Sequence, residues 1–281
     1  MTTRRNEWPS LGAVPRRLVR WARRHINAAS INIVTYHSVA PEEGPFTAGL
    51  PLRHTPRDLL DHMTYLRRFF RPMRLSGVID ALRRGQLLDR AVVVTFDDGF
   101  RDTLVHAGPI LRRLGIPMSV FVVTSVVDNR DLIWRHKLAW LIRHGLGHAV
   151  YTAMRREYAR AGHELAAGGR AGSERTPDLY ELTRRFYRPD ILPPLLDELL
   201  ARHGWSGAAL AQRFRPYLQA EEIAAADPEW VEFENHTHTH PMLSALTADE
   251  QLREMSLARD ALTDLTGRSP TAVAYPFGLR D

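Results

Sequence analysis

Two short segments of the chain carry side chains that bind metal ions and transfer protons. Asp97 and Asp98 follow an apolar, β-rich run, and imidazoles recur at alternate positions in residues 236–240. Two consecutive acids at the end of an apolar strand are energetically costly unless a cation or a polar network compensates them. An Asp before a Gly, as at 98–99, is also a common turn pair. The acidic pair alone therefore leaves both interpretations open.

The histidine cluster is the more specific signal. On an extended segment His236, His238 and His240 share one face, whereas on a helical turn only His236 and His240 do. Pro241 disfavours helical angles at His240 and so favours a loop. Two histidines and a carboxylate leave coordination positions open for water and substrate. We therefore predict a catalytic metal site rather than a solvated or core-packed histidine run, with a neighbouring carboxylate as base and His238 in a structural or supporting position.

Alternating strands and helices must position these groups. The clearest helices begin at Thr55 before Pro56, follow Gly99, and begin with a capping box at 247–250. This order predicts a parallel sheet, with polar residues at the carboxyl ends of the strands, where α/β enzymes place their sites. Five β-rich runs are predicted strands: 31–36, 91–96, 118–123, 230–233 and 272–274.

Between residues 128 and 228 the strand pattern stops, and the sequence becomes helical and basic. We interpret this stretch as a helical insertion in a domain that spans 30–281, preceded by a basic leader at 1–29. Aromatic residues of the insertion could line a glycan groove, but we favour packing because aromatic side chains usually fill cores first. They include Trp134, Trp140, Tyr187 and Trp205.

Composition limits the classes of function. The chain has 281 residues, no cysteine and a formal charge of +6, so any metal site must use His, Asp and Glu. No nucleic-acid motif accompanies the scattered arginines, and we predict no nucleic-acid partner. The leader predicts a solvated helix or a basic helix on an anionic membrane. It lacks the features of a secretory signal, and no stretch approaches the roughly 20 apolar residues of a membrane span. We expect a cytoplasmic location, with peripheral membrane contact as the alternative.

Taken in order, three motifs resemble those of the polysaccharide deacetylases, which are carbohydrate esterase family 4 or NodB-homology domains. Residues 95–99 (TFDDG) resemble the first motif, residues 236–241 (HTHTHP) the second, and residues 275–278 (YPFG) the third. Residues 36–38 (YHS) also recur in many members. This order of motifs is highly specific, and the resemblance covers most of the chain outside the leader and the insertion.

The resemblance implies an α/β fold, a distorted (β/α) barrel, here incomplete and with a helical insertion. It implies that Asp97 is the catalytic base and that Asp98, His236 and His240 bind a divalent metal, with zinc expected. The implied substrate is an N-acetylated glycan, from which the enzyme removes acetyl groups. The third motif would wall the site and help hold the oxyanion through Tyr275, Pro276, Phe277 and Gly278. Supporting positions are assigned to His37, His238 and Asn235.

Some features depart from the family pattern. Ala274 stands where many members have an arginine that orients the catalytic Asp. The two later motifs of the family, one that carries an acid and one of the form Leu-x-His, are not found before the last residue, Asp281. The predicted strands are too few to close a barrel. An incomplete chain, a truncated gene product or completion by a partner would explain this, and we favour truncation. The alternative functions are hydrolysis of another C–N bond in a small molecule and an inactive metal- or glycan-binding remnant.

Overall fold

The computed structural model describes residues 31–47, 49, 50, 52–165 and 178–278. The predicted leader lies outside these residues. The strands are β1 (Asn32–Tyr36), β2 (Ser38–Val39), β3 (Arg53–His54), β4 (Arg71–Pro72), β5 (Ala91–Phe96), β6 (Met118–Val122) and β7 (Val231–Asn235).

The α-helices of the described residues fall into two groups, those that pack on the sheet and those between β6 and β7. The first group comprises α1 (Pro56–Phe69), α2 (Leu75–Arg83), α3 (Gly108–Leu114) and α10 (Ala248–Thr266). The second comprises α4 (Trp134–Arg143), α5 (Gly147–Arg160), α6 (Leu179–Arg185), α7 (Leu192–Arg202), α8 (Gly207–Phe214) and α9 (Ala220–Ala224).

The main sheet is parallel, with strand order β1-β5-β6-β7, and β4 pairs with the first residues of β5. One row of partners runs across it, from Val34 to Val94, Met118 and Val231. Every residue of β5 is buried, as expected for a strand covered on both faces. Because all these pairs are parallel, the carboxyl ends of β1, β5, β6 and β7 lie at one edge. The predicted α/β class with a parallel sheet is confirmed.

Two of the helices that cover the sheet, α1 and α10, begin at the residues expected from the sequence. The side chain of Thr55 accepts a hydrogen bond from the backbone N–H of Asp58, and Pro56 begins α1. Helix α10 has the predicted capping box, from Thr247 to Glu250, and ends at a left-handed Gly267. The apolar faces of these helices pack on the sheet through residues that include Leu59, Met63, Leu66, Leu111 and Leu262.

The helices between β6 and β7 have a hydrophobic core of their own. Trp134, Trp140 and Tyr187 are buried in it. Trp205 is half-buried, and its ring lies 5.6 Å from that of Trp140 in an edge-on arrangement. The interpretation of these aromatic residues as packing residues is therefore confirmed. Within the described part of the chain, no helix is long and apolar enough to span a membrane.

The prediction of a fifth strand at 272–274 is wrong. This segment forms only a single parallel bridge, between Val273 and Asn235, with hydrogen bonds from Asn235 N to Ala272 O and from Ala274 N to Asn235 O. The ladder stops there because Asn235 is the last residue of β7, after which the chain turns into the histidine loop. The carboxylate of Glu234 instead accepts the backbone N–H groups of Thr271 and Ala272.

Candidate metal centre

The acidic pair follows β5 directly. The N–H of Asp97 still donates to Tyr36 O at 2.9 Å, which continues the pairing with β1, and the backbone then turns left-handed at Asp98, where φ is 69°. Gly99 is also left-handed, with φ of 71°, and an added Cβ would lie 3.2 Å from Val122 Cγ1. This turn allows both consecutive acids to line one cavity, although adjacent strand residues would point to opposite faces.

The histidine cluster forms a tight loop after β7. Its backbone is left-handed at Thr237 and at His240, with φ of 67° and 62°. Asn235 stabilises the loop, because its Oδ1 accepts from Thr237 N at 2.8 Å and its Nδ2 donates to Met255 O at 2.8 Å. His240 N then donates to Thr237 Oγ1 at 3.1 Å. The loop brings His236 and His240 to the same side, with their ring centroids 4.9 Å apart.

A carboxylate from α10 holds the middle of this loop. Glu254 accepts hydrogen bonds from His238 N at 2.9 Å, Thr239 N at 2.8 Å and Thr239 Oγ1 at 2.8 Å. The ring of His238 bonds through Nδ1 to Thr124 Oγ1 at 2.9 Å. His238 and Asn235 therefore contact the structure around the loop, and neither lines the cavity described below.

Asp98, His236 and His240 converge on one point. Their ligand atoms all lie within 4.8 Å of one another, and all three residues are buried. Asp98 Oδ1 lies 3.4 Å from His236 Nε2 and 3.3 Å from His240 Nε2. His236 Nδ1 donates to Ala274 O at 2.9 Å, so in the neutral ring Nε2 carries the lone pair that faces the carboxylate. Asp98 Oδ1 is buried without a hydrogen-bond partner in the described residues.

These three groups fit a divalent metal ion. Opposed lone pairs on a buried carboxylate and an imidazole repel each other unless a cation or a proton lies between them. Tetrahedral zinc, with ligand bonds of about 2.0 to 2.2 Å, places neighbouring ligand atoms about 3.3 to 3.5 Å apart. The two separations found here, 3.4 and 3.3 Å, agree with that spacing. The hydrogen bond from His236 to a backbone carbonyl is also typical of metal-binding histidines.

The pKa values of the two acids at the site are shifted in opposite directions. Burial raises the pKa of Asp98, but His236 and His240 outweigh it, and the pKa lies well below its ordinary value. Burial raises the pKa of Asp97, and His236 and His37 offset this only in part. Asp98 is therefore held as an anion suited to bind a cation. Asp97 is the more basic carboxylate, as a proton acceptor should be.

A cavity of about 500 Å³ lies over the converging groups. It brings together most of the predicted site residues, including His37 after β1 and the loop 275–278. Phe277 adopts a left-handed conformation, with φ of 66°, and its ring lies 5.1 Å from that of His240. Pro276 is buried beside it. The predicted residues that line the cavity are His37, Asp97, Asp98, His236, His240, Tyr275, Phe277 and Gly278.

The sequence interpretation missed the residues that α4 contributes to this cavity. Tyr217 Oη accepts from Ile133 N at 3.1 Å, so its own proton is available to His136 Nδ1, to which it is hydrogen bonded. When Nδ1 accepts this proton, the other ring nitrogen of the neutral His136 ring carries the N–H, and it lies 3.9 Å from Asp98 Oδ2, beyond direct hydrogen-bond distance. Burial lowers the pKa of His136 to about 4, which keeps the ring neutral. The structure thus places a neutral N–H donor behind the candidate metal ligand.

Two neighbours of His136 also reach the site. Trp134 Nε1 donates to His240 O at 2.9 Å and so joins α4 to the histidine loop. Arg135 lines the cavity. The sequence carries one signal for this helix, because a Trp-Arg-His-Lys run at 134–137 places polar groups in an otherwise apolar segment. No spacing rule connects that run to the histidine cluster about 100 residues later.

Comparison with known proteins identifies the family. The polysaccharide deacetylase family model matches residues 84–172 and 199–281, more than half of the chain. The chain therefore belongs to the polysaccharide deacetylase family, which confirms the resemblance seen in the three motifs. YxkH of Bacillus subtilis (strain 168), which bears the name of a polysaccharide deacetylase, is 22% identical over 128 residues. That match spans 44% of this chain and 43% of the relative.

Solved structures show the same fold. The Streptococcus pyogenes deacetylase PplD, in complex with acetate, is 18% identical with a TM-score of 0.54, over 91% of this chain and 77% of that one. IcaB from Ammonifex degensii is also 18% identical, with a TM-score of 0.53, over 92% of this chain and 78% of that one. At this identity the likeness concerns the fold, which is that of the deacetylase-type (β/α) barrel.

Proposed function

We propose that this protein is a metal-dependent hydrolase that removes N-acetyl groups from sugar residues of a poly- or oligosaccharide. The observation that carries the proposal is the convergence of Asp98, His236 and His240 at the separations that zinc requires. Membership of the polysaccharide deacetylase family supports the reaction class. The cavity of about 500 Å³ lies within the range of small-ligand sites and has room for a sugar ring.

Each group has a role that its surroundings support. Asp98, His236 and His240 would hold a divalent ion, with zinc expected, although nitrogen and oxygen ligands also suit other ions. When bound, such an ion supplies Lewis-acid chemistry, which polarises a carbonyl and acidifies water. Asp97 would accept the proton, and its raised pKa makes it a stronger base than an exposed carboxylate.

The third motif would complete the substrate side. Tyr275, Phe277 and Gly278 line the cavity, and a backbone N–H group of this loop would stabilise the developing negative charge on the amide oxygen. The loop is fixed to the metal centre by hydrogen bonds, because Ala274 O accepts from His236 Nδ1 and Ala274 N donates to Asn235 O. The ligand His236 and the oxyanion-binding backbone therefore hold each other in place.

The test is acetate release from a neutral chito-oligosaccharide by zinc-loaded protein, with and without a chelator. We expect release that the chelator stops and zinc restores. An Asp97→Asn variant should bind zinc with unchanged stoichiometry and lose about 10²- to 10⁴-fold in rate, because it lacks the base. Zinc binding without turnover would favour a metal- or glycan-binding remnant. Turnover only of small amides would favour a small-molecule hydrolase.

A further inference from the structure

One guanidinium lies beside the candidate metal centre. Arg135 is the second residue of α4 and lines the same cavity as Asp97 and Asp98. Its Cζ lies 5.2 Å from the ring centroid of Phe277 and 5.1 Å from that of Tyr180. These two aromatic contacts fix the position of the guanidinium at the cavity wall.

This guanidinium has few hydrogen-bond partners. Its single hydrogen bond in the described residues is to Tyr180 O, at 3.4 Å, although an arginine has five N–H donors. None of the described carboxylates forms an ion pair with it, whereas Arg101 and Arg184, which are also partly buried, are paired with Glu222 and Glu181. A partly buried charge without an ion-pair partner is costly, and a bound anion would remove that cost.

The charges around the cavity favour a substrate with one negative charge. Asp97 and Asp98 contribute two negative charges, which a divalent ion would offset, and Arg135 then remains as the uncompensated cation among the described cavity residues. A carboxylate supplies one charge, and its two coplanar oxygens match the planar fork of a guanidinium. Neutral sugar hydroxyls would leave the charge of Arg135 unpaired.

We propose that Arg135 binds a carboxylate carried by the substrate, on the N-acetylated sugar or on the sugar next to it. The enzyme then selects acidic N-acetylated glycans over neutral ones. This inference rests on the proposed deacetylase function and adds a substrate class to it. The competing role for Arg135 is purely structural, as a cation stacked on Phe277 and Tyr180. The two roles differ in what they predict for charged and uncharged forms of one ligand.

The experiment measures binding to the zinc-loaded protein by calorimetry. One ligand is N-acetylmuramic acid, an N-acetylhexosamine with a carboxylate on its own ring substituent, and the other is its primary amide, which has the same shape without the charge. An N-acetylhexosamine–glucuronate disaccharide and its amide form the second pair. We expect the acid of at least one pair to bind about 10- to 100-fold more tightly than its amide, the range expected for a charge-assisted hydrogen bond.

Substitutions then assign the preference to Arg135. Arg135→Met keeps an apolar stem against the rings, and we expect it to bind acid and amide equally. Arg135→Lys keeps the charge but not the planar fork and should retain part of the preference. Arg143→Met is the matched control, because Arg143 ends the same helix, is exposed and does not line the cavity. It should keep the full preference.

The results separate this inference from the proposed function. If neither acid binds more tightly than its amide, or if no binding is measurable, the inference is overturned before any variant is tested. A preference that survives in Arg135→Met would also overturn it. Acetate release from the neutral chito-oligosaccharide is measured in parallel on the same proteins. If the neutral substrate is turned over and no charge preference exists, the deacetylase proposal stands and the role of Arg135 is structural.

Discussion

The loops at the strand ends and helix α4 reach one cavity by different means. The loops depend on backbone conformation, with left-handed residues at Asp98 and His240, and the hydrogen bond from His240 N to Thr237 Oγ1 stabilises the second of these turns. Helix α4 is regular and contributes side chains, among them Arg135 and His136, through its contact with the histidine loop. Left-handed non-glycine residues cost about 1 to 3 kcal/mol each and persist where the surroundings fix them.

This difference separates the residues that we propose to bind the metal from those that we expect to adjust the site. The loops provide all three proposed ligands, whose positions follow from the sheet edge and tight turns. Helix α4 provides a neutral donor behind Asp98 and a cation at the cavity wall. Substitutions in the loops should therefore affect metal binding itself, whereas those in α4 should change its strength or the choice of substrate.

The largest effect on zinc affinity is expected for Asp98, the proposed ligand that faces both histidines. Asp98→Asn removes the anion that faces both imidazoles, and we expect zinc affinity to fall by more than about 100-fold, beyond the loss typical of residues behind the ligands. Calorimetric titration of zinc measures this. Asp89→Asn is the control, because Asp89 is exposed and, among the described residues, forms an ion pair only with its neighbour Arg90. An Asp98→Asn protein that binds zinc normally would show that this residue is not a ligand.

The next effect tests whether α4 contributes to the metal centre at all. His136→Leu removes the N–H that faces Asp98 Oδ2 at 3.9 Å, and zinc affinity should fall about 10- to 100-fold. His136→Gln offers an amide N–H in its place and should recover part of the loss. His144→Leu is the control at the other end of the same helix, where the residue is exposed and its ring packs on Trp140. Equal affinities in His136→Leu and the parent protein would confine the metal centre to the loops.

The contrast between the loops and helix α4 also explains which site residues could be predicted from the sequence. The acids after β5 and the histidines after β7 were predicted to meet, because parallel strands end at one edge and their motifs have recognisable spacing. His136 and Arg135 were missed because their positions depend on how the helices between β6 and β7 pack on the sheet, and that packing leaves no periodic signal. The single bridge at Val273 was predicted as a strand, because an apolar run does not show where its partner strand ends.

A smaller effect on zinc affinity is expected for Glu254, the side chain of α10 that holds the histidine loop. Glu254→Gln keeps the size of the side chain, but its neutral amide accepts more weakly from His238 N and Thr239 N. We expect zinc affinity to fall about 10-fold, as the loop that carries His240 loosens. Asp249→Asn is the control, an exposed acid in the first turn of the same helix. A loss as large as that of Asp98→Asn would mean that the loop does not form without Glu254.

The smallest effect on the metal centre is expected inside the helical region itself. Lys137 follows His136 but points away from the cavity, and its buried ammonium lies 2.7 Å from both Asp131 and Asp197. Lys137→Met should leave zinc affinity unchanged. It should lower the free energy of unfolding by about 1 to 2 kcal/mol, between the values of exposed and buried ion pairs, because both acids are about half exposed.

Urea denaturation and zinc titration on this one variant measure the two quantities separately. A loss of stability with normal zinc binding would show that the stability of the helical region and its support of Asp98 are separable, since adjacent residues of one helix would then serve different functions. If zinc affinity falls along with stability, the metal centre depends on the whole helical region. The loops would then not be sufficient to form it, and the distinction between the two regions would fail.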